Sequence, residues 1–210
     1  MKVAILSESS ADEAAIRILL EGILSAKTQG IPSLPLRSRG WPSVIRVLPA
    51  VLKKLHYQTD VDALVVIVDS DDSPVHQSGH DEVGGEDSQC RLCQLRNVVS
   101  SEKSRLRPVI GRSQIKTALG LAVPAIEAWY LCGCDSHVNE ATWHRKLQSE
   151  QITYTRRTLK ETVYGTERPT IEIELDHATK AASRLACDLS LLEQLFPNGF
   201  GAFARDVRNW

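Results

Sequence analysis

At 210 residues, 42% hydrophobic and 24% charged, the chain carries enough apolar material for one core with a small appendage, and 25 basic against 26 acidic side chains leave a net charge of −1. Ordinary glycine and proline usage, 12 and 9, excludes a collagen-like or low-complexity chain, and no apolar run approaches the roughly 18 residues of a membrane span. Five cysteines, an odd number, point to reduced thiols or a metal site instead of a disulfide framework, and Glu8 interrupts the first apolar run too early for an export signal. Both features predict a cytoplasmic protein.

Lys2 to Leu6 reads as a short strand. Ser7-Glu8-Ser9-Ser10 then turns the chain into a helix bearing Ala14, Ala15, Ile18, Leu19, Gly22 and Ile23 at helical spacing, with Ser9 or Ser10 as cap and Asp12 and Glu13 at its positive end. A polar stretch follows, with a short strand expected at Leu34 to Arg37 and a helix from Pro42 to His56 that contains Pro49. Leu64-Val65-Val66-Ile67-Val68 is apolar without alternation, the pattern of a parallel strand covered on both faces. It ends in Asp69-Ser70-Asp71-Asp72, and residues 69–89 hold seven acids and no Lys or Arg. A helix is predicted from about Ser88 to Ser104, a second buried strand at Thr117 to Val123, and a helix opened by Pro124 and running through Ile126, Ala128, Trp129 and Leu131. Strands alternating with helices predict an α/β fold with a parallel sheet. Beyond Cys134 the texture is helical, near 139–150, 155–164, 176–187 and 188–208, so residues 1–134 read as the α/β core and 135–210 as a helical annex packed on it.

In such sheets ligands bind beyond the carboxyl ends of the strands. Three of those ends here lead into acid: Glu8, the pair Asp69 and Asp71, and Glu127 shortly after the last strand. If strand geometry continues past Asp69, it and Asp71 project to one side, where two carboxylates repel unless a proton or cation intervenes. Oxygen ligands suit Mg²⁺ or Mn²⁺, and Asp12, four residues after Glu8, can add to the set, with Glu13 as its substitute. Asp72, Asp81, Glu82, Glu86 and Asp87 read as solvated loop charges.

The order of strand-Glu8, strand-Asp69-Ser-Asp71 and Ala125-Ile-Glu127-Ala-Trp129 resembles Toprim domains, the catalytic module of topoisomerases, primases and OLD-type (overcoming lysogenisation defect) nucleases. It is more narrowly similar to a Toprim-like family of bacterial proteins often encoded beside ATPases in apparent defence loci. That similarity extends over Leu159-Lys160-Glu161-Thr162-Val163-Tyr164-Gly165 and the terminal run from Ser190 to Phe203. One departure is Ser9, where Toprim proteins usually have glycine. The resemblance implies Mg²⁺- or Mn²⁺-dependent phosphodiester hydrolysis by a nuclease: Glu8 and Asp12 match the first acidic pair, Asp69 and Asp71 the metal-binding pair, and Glu127 the acid that OLD-type nucleases add. Glu8 can alternatively act as general acid, and a lysine that stabilises transition-state charge is expected, first Lys160 and second Lys116. The implied role is an endonuclease effector of antiviral defence. Alternatives are a non-catalytic partner or sensor subunit of an ATPase complex, or a Mg²⁺-dependent small-molecule phosphohydrolase.

A polyanionic substrate needs cationic walls, and two stretches offer them: Lys103, Arg105, Arg107, Arg112 and Lys116, and Arg145, Lys146, Arg156, Arg157 and Lys160. With 11 aromatics in the chain, grip through phosphate is expected, not base stacking. The partners expected are nucleic acid and an ATPase, with a homo-oligomer as a further option and no membrane; the chain holds no Gly-x4-Gly-Lys-Ser/Thr nucleotide loop of its own. A separate constellation, His76-x3-His80 followed by Cys90-x2-Cys93, has the donors of a structural Zn²⁺ site able to pin the loop after Asp71. Cys132, Cys134 and His137 also cluster and read as packing.

Overall fold

The computed structural model describes residues 1–31, 40–149 and 154–210. The strand expected at Leu34 to Arg37 lies outside the described residues. Among those described, four parallel strands form one sheet: β1 (Lys2–Leu6), β2 (Gln29–Gly30), β3 (Ala63–Asp69) and β4 (Lys116–Ala122), in the order β2-β1-β3-β4. Every residue of β3 is buried, as its unalternating apolar run requires of a strand with helices on both faces.

Helices α1 (Ser10–Leu24), α2 (Trp41–Gln58) and α3 (Arg91–Arg105) connect the strands. Ser9 caps α1, its hydroxyl accepting the Asp12 N–H at 3.1 Å, and its backbone is extended at φ −145°, so this turn has no need of glycine. Pro49 sits inside α2, and α2 packs on α3 and on β3. After β4 the expected helix opens later than the sequence suggests. Pro124, joined to Val123 by a cis peptide bond, precedes the helix; Ala125 is the cap, and α4 runs Ile126–Tyr130.

The remaining helices are α5 (Glu140–Ser149), α6 (Arg156–Tyr164), α7 (Ile171–Leu185), α8 (Ser190–Leu195) and α9 (Phe200–Arg208). The single stretch expected over 188–208 is broken between α8 and α9, where Pro197 cannot continue a helical ladder. On the face away from α2 and α3, α7 lies along α1 and α9 lies against β4. This last approach is close: a Cβ on Gly120 would meet Ile67 Cδ1 at 2.5 Å and Phe203 Cβ at 3.0 Å. Phe196, Phe200 and Phe203 join the same apolar cluster as Val3, Ile5, Leu64 and Val66. The architecture is therefore α/β, a parallel sheet flanked by helices, with the carboxyl-terminal helices closing one face. Among the described residues no helix is long and apolar enough to cross a membrane.

Candidate functional site

In a sheet of order 2-1-3-4 the connection leaving β1 runs to β2 on one side and that leaving β3 runs to β4 on the other, so the crevice between the carboxyl ends of β1 and β3 is a topological switch point. Glu8 follows one strand and Asp69 closes the other. They meet there: Glu8 Oε1 accepts the backbone N–H of Asp69 at 3.1 Å. Asp69 in turn accepts the Ile126 N–H on Oδ1 at 3.0 Å, which ties the start of α4 to the end of β3. Because α4 begins at this point, Glu127 is carried into the same crevice, buried to 4% exposure.

Asp71 reaches the site by a different route from the one expected. Strand geometry ends at Asp69, and Asp71 is left-handed at φ 49°, so the two side chains do not project side by side from a strand. A turn brings them together instead, with the Ser70 and Asp71 N–H groups bonded to the carbonyls of Ala122 and Pro124 at 2.7 and 2.9 Å. Cations hold the pair. Arg156 Nη2 lies 2.6 Å from Asp69 Oδ2 while its Nη1 contacts Asp71 Oδ1, and Arg91 Nη1 donates to both the Asp69 carbonyl and Asp71 Oδ2, each at 2.6 Å. One guanidinium bridging two carboxylates is strong, geometrically specific pairing.

Glu8, Asp12, Asp69 and Glu127 line a polar cleft of about 180 Å³, together with Glu174 of α7 and with Arg156, Lys160 and Tyr164 of α6. Asp12, not Glu13, is the α1 acid that lines it. Lys160 Nζ is 3.8 Å from Glu127 Oε1. Burial, with the charges of Glu127 and Glu8, pushes Asp12 up to about 7. Burial also raises Asp69 well above the ordinary carboxylate range, Glu127 and Glu8 adding to it, despite Arg156 alongside. Glu8 is raised by burial and by Asp71. Carboxylates crowded this way are relieved by a proton or a cation. Glu127 is buried at the cleft, where its carboxyl engages the Tyr164 hydroxyl and faces Lys160, while Oε2 makes no hydrogen bond of full geometry. The donors here are all oxygen, the kind a hard divalent ion takes, and Glu8, Asp12, Asp69 and Glu127 are the residues that would supply them, but among the described residues their oxygens are not drawn together into a metal-sized group. Asp71 lies beside the cleft and is committed to two arginines.

Of the two basic stretches, one is at the wrong end of the molecule. Lys116 opens β4 opposite Ala63, whereas the acids stand at the far end of the same strand pair, where Asp69 pairs with Ala122. There Lys116 Nζ binds the Trp210 carbonyl and Arg112 binds the carbonyls of His56, Thr59 and Val61, so both serve the scaffold. The expectation that residues 101–116 flank the acidic centre, with Lys116 as the second-choice catalytic lysine, is therefore overturned. In the second stretch, Arg156 and Lys160 are four apart on α6 and both face the cleft. Arg157 pairs with Glu167, and Lys146 lies 3.4 Å from the Trp143 ring centre.

The second constellation closes. His76, His80, Cys90 and Cys93 each offer a ligand atom, and these four atoms lie within 4.8 Å of one another. His76 Nδ1 is 3.5 Å from Cys90 Sγ and 3.6 Å from Cys93 Sγ, and His80 Nδ1 is 3.7 Å from Cys93 Sγ. Tetrahedral coordination with metal–sulfur bonds of about 2.3 Å and metal–nitrogen bonds of about 2.0 Å requires S···N edges of about 3.5 Å. The far nitrogen of His76 lies 3.0 Å from Asp81 Oδ1, the carboxylate contact that orients a metal-ligating imidazole, and Arg96 grips the same oxygen. Asp81 is thus a supporting residue, not the solvated loop charge its neighbourhood suggests. Burial and Arg96 bring His76 down to about 4, the neutral form that ligates, while burial pushes the Cys90 thiol up to about 12, so metal binding there releases protons. Cys132 is buried and Cys134 exposed, and His137 joins no such group among the described residues.

Sequence reasoning missed Arg91, Tyr164 and Glu174 as members of the acidic centre and gave Arg156 only a general grip. The signal for Arg156 was its spacing of four from Lys160. No family model, curated protein or solved structure matches the chain.

Proposed function

We propose that this chain is a Mg²⁺- or Mn²⁺-dependent phosphodiesterase that cuts nucleic acid, with a Toprim-like acidic centre. The observation that carries the reading is the cleft itself, onto which Glu8, Asp12, Asp69 and Glu127 converge from separate elements beside Arg156 and Lys160. A divalent ion bound there supplies neutralisation of a scissile phosphate and an acidified water. Arg156 and Lys160 face the cleft as ligands for non-bridging phosphate oxygens, Arg156 exchanging its carboxylate contacts for phosphate when substrate enters. Where the ion is held by the other acids, Glu8 is the alternative proton donor to the departing oxygen, its burial raising its affinity for a proton. The expectation of a defence effector working beside an ATPase rests on the resemblance alone and belongs to this reading as its biological setting.

The experiment is incubation of plasmid DNA and of structured RNA with the protein and Mn²⁺, alongside Asp69→Ala/Asp71→Ala. Cutting by the wild type and not by the variant is expected, and equal cutting by both overturns the reading. A second reading is favoured by Arg156, whose guanidinium already satisfies Asp69 and Asp71: a non-catalytic module that uses the acidic centre as internal ion pairs. Absence of both Mn²⁺ binding and cutting of either nucleic acid, alone or with an added ATPase partner, supports it.

For the His76, His80, Cys90 and Cys93 cluster we propose structural Zn²⁺. Two imidazoles and two thiolates in a tetrahedron leave no open coordination position, and soft sulfur donors select zinc over the hard ions suited to the acidic cleft.

A further inference from the structure

The two candidate metal centres are joined by one residue. Arg91 lies between Cys90, which caps α3, and Cys93, one turn into it. Its side chain leaves the His/Cys cluster and ends on the acidic turn, where Nη1 donates to the Asp69 carbonyl and to Asp71 Oδ2, each at 2.6 Å. The guanidinium also stacks over Trp41 at 5.3 Å and is only 14% exposed, so it is held on several sides. Asp71, the residue it grips, has a positive φ, a state aspartate tolerates better than most side chains and that backbone bonds hold here. Backbone bonds to Ala122 and Pro124 seat the turn, but the aim of the Asp71 carboxylate depends on Arg91 and Arg156.

We propose that Arg91 is a positioning residue through which metal in the His76/His80/Cys90/Cys93 cluster sets the divalent-ion affinity of the acidic cleft, by way of the Asp69/Asp71 turn at its edge. This rests on both readings above, of zinc at the sulfur site and of Mg²⁺ or Mn²⁺ at the acidic one. With the two cysteines tied to a common ion, the first turn of α3 is fixed and Arg91 leaves it in one direction. Without the ion, Cys90 and Cys93 keep only their packing, the first turn frays, and Arg91 no longer holds Asp69 and Asp71 in register. The ordering gained in one site is then not repeated at the other, which is positive coupling between two sites through a shared element.

The test uses the full chain freed of metal, with and without one equivalent of Zn²⁺, which the thiolates take in preference to carboxylates. Mn²⁺ is then titrated, and its free fraction is read by electron paramagnetic resonance, with no reliance on cleavage. The expected result is Mn²⁺ binding about tenfold tighter with zinc than without. In Arg91→Ala, Mn²⁺ binds about as weakly as in the zinc-free wild type and is indifferent to zinc; Arg91→Lys, which keeps the charge, recovers part of the dependence. Zinc also changes the Trp41 emission, taken as the difference between wild type and Trp41→Phe. A purely structural zinc leaves Arg91→Ala as zinc-dependent as the wild type, and that result overturns the proposal. Tighter Mn²⁺ binding without zinc overturns it too, because Arg91 is then a competing charge. Failure to take up one equivalent of zinc sinks the zinc reading, and absence of Mn²⁺ binding in every state sinks the acidic-site reading; each is recognisable by itself and takes the coupling with it. Equal Mn²⁺ affinity with and without bound zinc removes only the coupling.

Discussion

Glu8 accepts the backbone N–H of Asp69 at 3.1 Å across 61 residues of sequence, so the first strand's acid holds the third strand's acid in place before any ion arrives. Glu8 therefore has a structural and a chemical task, and substitutions separate them. Glu8→Ala leaves a half-buried N–H without an acceptor and is expected to lower stability by about 1 to 3 kcal/mol. Glu8→Gln keeps an acceptor oxygen and folds like the wild type, yet loses Mn²⁺-dependent cutting. Urea denaturation and a plasmid assay on both variants give the comparison, and full activity in Glu8→Gln speaks against a role in chemistry.

Arg156 occupies the carboxylate oxygens that a cation at Asp69 must share. Arg156→Ala is expected to bind Mn²⁺ about tenfold more tightly, because a competing charge is gone, and to gain more thermal stability from added Mn²⁺ than the wild type does. Its cleavage falls, since one of two phosphate-facing cations is lost. Calorimetric titration with thermal melts decides the first point and cleavage kinetics the second.

The protonation of Asp12 sets the pH dependence. Its folded-state pKa is about 7, above the ordinary value, through burial and the charges of Glu127 and Glu8. A bound cation has to displace that proton, so Mn²⁺ affinity drops by up to about tenfold per pH unit below 7, and the raised Asp69 and Glu8 add to the dependence. Stability of the ion-free protein runs the other way: the contribution of the protonated carboxyl is fully present below the unfolded-state pKa and is lost as pH rises from about 4 to about 7. Titrations between pH 5.5 and 8.5 show a shallower slope in Asp12→Asn if Asp12 is the group responsible.

Removal of metal from the sulfur site is expected to lower the melting temperature, and Cys93→Ser to abolish stoichiometric zinc uptake while leaving Cys134 and Cys187, both exposed, reactive toward thiol reagents. Elemental analysis of the purified protein and a thiol count before and after chelation check this. A zinc-free preparation with an unchanged melt counts against the assignment.

Much of this centre was legible in the chain. The unbroken apolar run of β3 announced a covered parallel strand, and an acid at the end of such a strand lies on the ligand-binding rim by construction, which is why Glu8 and Asp69 meet as expected. The reverse inference was also available and was not used: Lys116 precedes its strand, so in a parallel sheet it belongs to the opposite rim. The partners Arg91 and Arg156 left little trace, because ion pairs spanning 20 and 85 residues follow no local period. Nor does periodicity foretell a positive φ at an aspartate, which local steric preference disfavours and the surrounding turn imposes.

The spacing of His76, His80, Cys90 and Cys93 was informative for a different reason. Two histidines in the loop after β3 and two cysteines at the start of α3, all within 18 residues, restrict the geometry enough that their spacing suggests the cluster. Asp81 escaped notice because its role depends on which imidazole nitrogen faces the sulfurs.

The seating of α9 on β4 bears on how the protein can be dissected. Gly199 would press a Cβ into the Leu121 carbonyl and Gly120 into Phe203, so Gly199→Ala is expected to cost about 3 kcal/mol in a urea melt. An excision after residue 134 would uncover the face of β4 that carries Ala118, Gly120 and Ala122 and would carry away Arg156 and Lys160 with the discarded piece. The last third of the polypeptide is thus one wall of the vessel, and fragments made to isolate a minimal catalytic unit would forfeit both its lining and its cations.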